Sequence, residues 1–217
     1  MQTDSQLRIT EIFYSLQGEA STVGRPTVFV RLTGCPMRCQ YCDTAYAFSG
    51  GELIAIDSIL SKVTSYNCSY VTVTGGEPLA QPECLLLLNR LCDAGFRVSL
   101  ETGGAMPVKD VDPRVSIVLD IKTPGSREEQ NNHLANYQVL KAKDQVKFVI
   151  CDRHDYDYAR SKIIELNLTD RVGEILLSPS HDQLQPKELA EWILQDRLPV
   201  RMQLQLHKLI WGNVPGH

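Results

Sequence analysis

Three cysteines lie within eight residues of the chain, at Cys35, Cys39 and Cys42, with the spacing C-x3-C-x2-C. This is too dense for a disulfide framework, and clustered thiols in a reducing compartment usually bind metal. Thiolates are soft ligands that select zinc, copper or iron–sulfur clusters. The triplet therefore predicts a metal centre.

Two kinds of centre fit the triplet. A structural zinc would need a fourth ligand, which Asp43 or one of the histidines could supply. A four-iron cluster held by three thiolates keeps one iron without a protein donor, and an open position of this kind distinguishes a reactive metal site from a structural one. S-adenosylmethionine can bind such an iron through its amino and carboxylate groups, and electron transfer then yields a 5′-deoxyadenosyl radical. The iron–sulfur interpretation is favoured, with zinc as the alternative.

Other polar or glycine-rich clusters each follow a predicted strand. Besides the cysteines they are residues 75–78 (Gly-Gly-Glu-Pro), 101–104 (Glu-Thr-Gly-Gly), 120–124 (Asp-Ile-Lys-Thr-Pro) and 207–208 (His-Lys). Parallel α/β enzymes carry their active sites at the carboxyl ends of the strands. This distribution predicts one shared site.

The elements that must position these residues alternate along the chain. Short β-branched runs predict seven core strands after an extra strand at residues 7–13, and helical patterns fall in most of the intervening segments. The core strands are predicted at residues 27–33, 70–74, 97–101, 115–121, 146–151, 174–178 and 200–206. Helices are predicted at residues 57–66, with Asp57 as N-cap, and at 82–94, 128–141, 155–166 and 186–195. Strand–helix alternation is typical of a parallel sheet, and the usual nucleotide-binding glycine motifs are missing. We therefore expect an α/β fold, a partial (β/α) TIM-like barrel with mostly parallel strands.

The composition and the net charge argue against some classes of binding partner. The 217 residues are 43% hydrophobic with a formal charge of -4, which fits a single domain over residues 1–217 and argues against binding nucleic acid or a membrane surface. The absence of a long apolar stretch or a signal peptide predicts a cytoplasmic protein.

The cysteine triplet, together with Thr74-Gly75-Gly76-Glu77-Pro78, resembles the radical S-adenosylmethionine superfamily, whose methionine-binding motif is similar to the second stretch. Further stretches are similar to the 7-carboxy-7-deazaguanine synthase family, and matches run from Thr10 to Trp211. These stretches are residues 15–19 (Ser-Leu-Gln-Gly-Glu), 29–35, 41–44, 207–208 and 211–212.

The resemblance implies a lyase of queuosine or deazapurine biosynthesis, a pathway of tRNA modification. It would contract 6-carboxy-5,6,7,8-tetrahydropterin to 7-carboxy-7-deazaguanine with loss of ammonia, beginning with hydrogen abstraction at the carbon that bears the carboxylate. The implied cofactors are a [4Fe-4S] cluster on Cys35, Cys39 and Cys42, S-adenosylmethionine, and Mg²⁺ at Thr44. An electron donor such as a flavodoxin and a homodimer are implied as partners.

The resemblance also assigns site residues. Those expected to contact the pterin are Leu16, Gln17, Gly18, Glu19, Arg31, Thr74 and His207. Those expected at the S-adenosylmethionine site are Tyr41, Cys42, Asp43, Gly75, Gly76, Glu77, Glu101, Asp120 and Lys122. Asp120-Ile121-Lys122 stands where relatives commonly have serine-proline-lysine, so Lys122 matches the family pattern and Asp120 does not. No residue is assigned to the later proton transfers.

Plainer interpretations stay open for several residues. Gly75 and Gly76 could form only a tight turn, Glu101 could cap the next segment, and His207 could be a core histidine. Arg31 could pair with Glu19 or Glu101 instead of a substrate anion.

Two other functions also compete. One is an activase of a glycyl-radical enzyme, which would not need the small-substrate groups Gln17 and Arg31. The other is a metal-binding module without catalysis.

Overall fold

A computed structural model describes residues 5–212, 214 and 216 of the chain. Its nine strands belong to one sheet, in the order β3-β1-β2-β4-β5-β6-β7-β8-β9. The strands are β1 (Gln6–Leu16), β2 (Pro26–Leu32), β3 (Glu52–Ala55), β4 (Tyr70–Gly75), β5 (Arg97–Thr102), β6 (Ser116–Asp120), β7 (Gln145–Ile150), β8 (Glu174–Pro179) and β9 (Arg201–Met202).

The sheet is mostly parallel. The neighbouring strands β2, β4, β5, β6, β7, β8 and β9 all pair in parallel. In contrast, β1 is antiparallel to its two neighbours, β2 and β3. The edge strands β3 and β9 are not paired with each other, so the barrel is not closed. The predicted partial barrel is confirmed, as are the seven core strands and the strand before them, although the last core strand is only two residues long.

Helices lie in most of the connections, as parallel strands require. They are α1 (Ile56–Ser65), α2 (Cys84–Asp93), α3 (Asn136–Val139), α4 (Arg153–Glu165), α5 (Leu168–Arg171), α6 (Pro186–Asp196) and α7 (Leu206–Trp211). Leu87, Leu88 and Leu91 of α2 are completely buried against the sheet. Gly95 follows α2 with a φ of +86°, as expected of a residue that ends a helix in the left-handed region. No helix of the described chain is long and apolar enough to cross a membrane.

Two details of the helix prediction are wrong. The N-cap of α1 is Ala55, and Asp57 lies in the first turn, where its carboxylate binds Arg90 at 2.7 Å. The predicted helix at residues 128–141 is only a 3-10 turn (Glu129–Asn131) and the single turn of α3. The side chain of Asn132 instead bonds the backbone N–H and carbonyl of Lys122. Asparagine side chains that bond the backbone compete with helix formation.

Candidate active site

The carboxyl ends of β2, β4, β5 and β6 surround one cleft, which we call the cysteine cleft. Each predicted polar cluster that follows one of these strands contributes to it. Its lining includes Cys35, Cys39, Tyr41, Cys42, Thr74, Gly75, Gly76, Glu101, Asp120 and Lys122. Four of the five predicted clusters therefore share one rim of the sheet, whereas His207 and Lys208 lie in α7 and do not line this cleft.

The three cysteines are free thiols, partly buried, in the irregular segment after β2. Burial raises the pKa of Cys39 to about 11 and also raises the pKa values of Cys35 and Cys42. The thiols are therefore protonated at neutral pH in the bare protein, and metal binding must release protons.

The donor set fits a four-iron cluster. Cys35, Cys39 and Cys42 line one cleft, and thiolates are the ligands that hold iron–sulfur clusters. Three cysteines around one cleft suit a cluster that takes three thiolates and keeps one iron without a protein donor.

Gly75 and Gly76 do more than form a turn, because they bring β4 against the cysteine segment. A Cβ atom on Gly76 would lie 2.3 Å from the carbonyl oxygen of Gly34 and 2.7 Å from Cβ of Cys35. A Cβ atom on Gly75 would lie 2.3 Å from the carbonyl oxygen of Leu32. Only glycine permits this close approach.

Glu77 lies behind the cleft. Its side chain is completely buried, and it accepts hydrogen bonds from the Thr102 hydroxyl at 2.9 Å and the Gly103 N–H at 2.8 Å. It also caps the short turn that follows, accepting from the N–H of Leu79. Glu77 thus braces the ends of β4 and β5, and its contact with the cofactor stays a prediction.

The wall around β6 contains unsatisfied polar groups. Oδ2 of Asp120 pairs with Nζ of Lys122 at 3.0 Å. Oδ1 of Asp120 and the hydroxyl of Tyr41 are buried and have no hydrogen-bond partner among the described residues. Buried polar groups are almost always paired, so an orphaned acceptor in a cleft wall suits a ligand that donates hydrogen bonds there. The amino and hydroxyl groups of S-adenosylmethionine are such donors.

A second cleft adjoins the first, and we call it the substrate cleft. The two share Glu19, Thr44, Thr74, Gly75, Glu101 and Lys147 as lining residues. The structure brings to it every residue that the sequence predicts for the pterin, namely Leu16, Gln17, Gly18, Glu19, Arg31, Thr74 and His207.

The amide of Gln17 organises this cleft. Its Nε2 donates to Oε1 of Glu101 at 3.2 Å, and its Oε1 accepts from the backbone N–H of Glu19 at 3.2 Å. The hydroxyl of Thr74 donates to Oε2 of Glu101 at 3.2 Å. Glu101 thus faces the substrate cleft instead of acting as a simple cap.

The ion-pair partner of Arg31 differs from both predicted acids. Its Nε donates to Oε1 of Glu11 at 2.7 Å, and its guanidinium lies 5.6 Å from the ring centroid of Phe13. Glu11 stands opposite Arg31 in the antiparallel pair of β1 and β2. Arg31 lines the substrate cleft as a paired cation, and its binding to a substrate anion stays a prediction.

The start of a 3-10 turn that follows the cysteines (Ala45–Phe48) is tied to α7. The hydroxyl of Thr44 donates to Oδ1 of Asp43 at 2.8 Å, and Oδ2 of Asp43 pairs with Lys208 at 2.7 Å. Although burial opposes it, Lys208 lowers the pKa of Asp43. Asp43 itself does not line the cysteine cleft. Thr44 lines both clefts, a position that suits a ligand to Mg²⁺ between them.

His207 packs against Gly18 at the edge of the substrate cleft. A Cβ atom on Gly18 would lie 2.0 Å from Nδ1 of His207. Burial lowers the pKa of this imidazole. His207 lines the cleft and is only partly buried, so it is not a core histidine.

Sequence reasoning missed Lys147, which lines both clefts. It lies in β7, whose six residues are all buried, and its ammonium pairs with Glu19. The signal in the sequence was a charged residue, Lys147, within an apolar strand. Such a charge needs a buried partner and therefore points to a polar site.

Comparisons with known proteins agree with this geometry. The family model of the radical S-adenosylmethionine superfamily matches residues 29–124. A 7-carboxy-7-deazaguanine synthase of Chlorobaculum tepidum is 47% identical over 215 residues, covering 98% of this chain and 97% of the relative. Another from Koribacter versatilis is 40% identical over 219 residues, covering 94% and 97%. The crystal structure of QueE from Escherichia coli matches with a TM-score of 0.71 at 25% identity, over 93% of this chain and 95% of that one. The chain belongs to the 7-carboxy-7-deazaguanine synthase family of radical S-adenosylmethionine enzymes.

Proposed function

We propose that the chain converts 6-carboxy-5,6,7,8-tetrahydropterin to 7-carboxy-7-deazaguanine and ammonia. The observation that carries this proposal is the junction of the two clefts: all seven residues expected at the pterin line a cleft that shares a wall with the cysteine cleft. A radical made in one cleft must reach its substrate within van der Waals contact, and a shared wall allows this.

The cysteine cleft would hold the cofactors. Cys35, Cys39 and Cys42 would bind the cluster, and Tyr41, Asp120 and Lys122 would line the S-adenosylmethionine site. When bound, the cluster supplies the electron that cleaves S-adenosylmethionine to a 5′-deoxyadenosyl radical. The orphaned Oδ1 of Asp120 would accept from a hydroxyl or amino group of the cofactor.

The substrate cleft would orient the pterin. The guanidinium of Arg31, held by Glu11 through Nε, would face the substrate carboxylate, which matches a planar donor fork. The carboxylates of Glu19 and Glu101 and the amide of Gln17 would bond the ring nitrogens and amino group. Thr44 would bring Mg²⁺ to the same carboxylate, since hydroxyl and carboxylate oxygens are the ligands this ion prefers.

The partners belong to the same proposal. A small reducing protein such as a flavodoxin would deliver the electron, and two copies of the chain would form a homodimer, as family resemblance implies. The reducing conditions that free cysteines and an iron–sulfur centre need support a cytoplasmic location.

An anaerobic turnover assay tests the proposal. The reconstituted protein is incubated with the carboxypterin, S-adenosylmethionine, Mg²⁺ and a chemical reductant, and the absorbance and mass of the deazapurine are followed. We expect product only when all four are present. Cleavage of S-adenosylmethionine with the pterin left intact would contradict the proposal and favour the activase. An activase would not need the buried Gln17 or the paired Arg31 in a small cleft.

A further inference from the structure

The loop after β1 is held by side chains from the far end of the sheet. Gln203 exchanges two hydrogen bonds with the backbone of Ala20, at 2.7 and 3.0 Å. Gln145 of β7 accepts from the N–H of Ser21 at 2.7 Å and donates to its hydroxyl at 3.0 Å. Both glutamines are buried. Because β1 and β7 are separated by four strands in the sheet order, these bonds reach across the opening of the incomplete barrel.

Lys147 is the charged member of this set. Its side chain is 11% exposed, and its ammonium donates to Oε2 of Glu19, whose own side chain is 12% exposed. Oε1 of Glu19 accepts from Nε2 of Gln205 at 2.6 Å. Both carboxylate oxygens are therefore fixed from the β7 and β9 side of the molecule.

The position of Glu19 also affects the hydrogen bonds of other side chains in the substrate cleft. The backbone N–H of Glu19 bonds the amide oxygen of Gln17, and the amide nitrogen of Gln17 bonds Glu101. A displacement of Glu19 would therefore change the hydrogen bonding of both other side chains. Removing one member of a buried ion pair is costly because the other charge is then buried alone.

The electrostatic surroundings agree with this arrangement. Although burial opposes it, Lys147 and Gln205 lower the pKa of Glu19, so the carboxylate stays ionised. Burial and the neighbouring Glu19 raise the pKa of Glu101, which has no cation at hydrogen-bond distance within the described residues. Because Lys147 pairs with Glu19 and not with Glu101, the pKa of one carboxylate of the cleft is lowered while that of the other is raised.

We propose that Lys147 is a positioning residue for the substrate: it fixes the carboxylate of Glu19 and, through Glu19, the amide of Gln17 against the pterin. This inference rests on the proposed function, because the ligand is the carboxypterin. It assigns Lys147 no direct role in the chemical step.

A double-mutant cycle tests the inference. The variants are Lys147→Met, Glu19→Gln and the double variant, each reconstituted with its cluster. We expect Lys147→Met to raise KM for the carboxypterin roughly 30-fold or more, the lower end of the loss when one partner of a buried charge pair is truncated. We expect kcat to fall much less. The affinity for 7-carboxy-7-deazaguanine, measured by titration calorimetry, should fall by a similar factor without any turnover.

The double variant carries the decisive result. If Lys147 acts through Glu19, adding Lys147→Met to Glu19→Gln should change KM by less than about twofold, because coupled residues are not additive. This variant leaves neither Lys147 nor Glu19 as a lone buried charge, so it keeps the test valid even if Lys147→Met alone unfolds. The exposed Lys141, in the segment before the same strand, gives the control Lys141→Met, for which we expect unchanged KM.

Two outcomes overturn the inference while the unmodified protein still forms deazapurine. One is an unchanged KM and product affinity in Lys147→Met. The other is a double variant whose loss equals the product of the two single losses. Absence of deazapurine from the unmodified protein is a different result, and it would refute the proposed function together with this inference.

Discussion

The two clefts that meet at Thr74 and Gly75 are built in different ways. In the substrate cleft, Gln17 and Glu19 are bonded to other groups of the chain. In the cysteine cleft, the hydroxyl of Tyr41 and Oδ1 of Asp120 have no partner in the described structure. Groups of the chain itself fix the side chains of the substrate cleft, whereas the cysteine cleft offers unpaired polar groups to a ligand. Perturbations should therefore affect the two clefts differently.

The largest effect is expected from loss of a cluster ligand. Cys39→Ala should remove the iron–sulfur absorbance and reduce turnover to an undetectable level, because two thiolates cannot hold the cluster. The substrate cleft does not depend on the cluster for its hydrogen bonds, so calorimetric affinity for 7-carboxy-7-deazaguanine should change by no more than a few-fold.

Cys92→Ala is the matched control, since Cys92 lies on α2 outside both clefts. It should retain iron and turnover. An equal loss of product affinity and iron in Cys39→Ala would remove the distinction between the clefts.

The next effect concerns the close approach of β4 to the cysteine segment. In Gly76→Ala, the added methyl would lie 2.3 Å from the Gly34 carbonyl, so the cysteine segment must move. We expect iron content per chain and turnover to fall at least tenfold, measured by metal analysis and the deazapurine assay.

Gly95→Ala separates this contact from ordinary strain. Gly95 has a φ of +86° but no atom near its absent Cβ, so alanine should cost about 1 kcal/mol of stability through backbone strain alone. Iron content should be unchanged in that variant. Normal iron loading in Gly76→Ala would argue against the packing role given to this glycine.

A smaller effect is expected at Asp120. In Asp120→Asn, one carboxylate oxygen becomes an N–H donor, so the cleft loses an acceptor and Lys122 loses its anionic partner. We expect S-adenosylmethionine affinity to fall roughly tenfold, measured by equilibrium binding to the reconstituted enzyme. The exposed Asp110 provides the control Asp110→Asn. Unaltered affinity in Asp120→Asn would show that the orphaned oxygen is satisfied by water.

The smallest effect distinguishes two carboxylates of the substrate cleft. The pKa of Glu101 is raised by burial and by Glu19. The stability that Glu101 contributes is therefore present below its pKa in the unfolded chain, near 4.5, and is lost as pH rises through its pKa in the folded protein. The pKa of Glu19 is lowered by Lys147 against the effect of burial. Its contribution is therefore present above 4.5 and is lost as pH falls.

Denaturant unfolding between pH 3 and 8 measures both contributions. Glu101→Gln should flatten the decline of the unfolding free energy on the side above pH 4.5, and Glu19→Gln should flatten it on the acid side. The same change in both variants would contradict the opposite environments of the two groups.

Much of the fold follows from sequence because it depends on local patterns. The seven core strands are apolar runs bounded by Gly, Pro or Asp, and buried parallel strands have this composition. The strand β3 was missed since four residues, of which Glu52 and Leu53 are exposed, form no recognisable pattern. The segment at residues 128–141 was misassigned because its asparagines bond distant backbone groups, Asn136 contacting the loop of Gly104 to Val108.

The site was predictable where residue type determines chemistry, as in the cysteine triplet. It was not predictable where pairing depends on register. A bulge between Ile9 and Glu11 shifts β1 and places Glu11 opposite Arg31, and no local signal specifies such a shift. Lys147 and Glu19 are 128 residues apart and meet only because the loop after β1 reaches the far end of the sheet.

Transfer of hydrogen between the clefts tests the central claim most directly. The carboxypterin carrying deuterium on the carbon that bears the carboxylate is incubated with the reconstituted enzyme, and S-adenosylmethionine and 5′-deoxyadenosine are recovered for mass spectrometry. We predict deuterium in the 5′-deoxyadenosyl group, because the two clefts share a wall. Consumption of the pterin with no deuterium in either molecule would contradict the account.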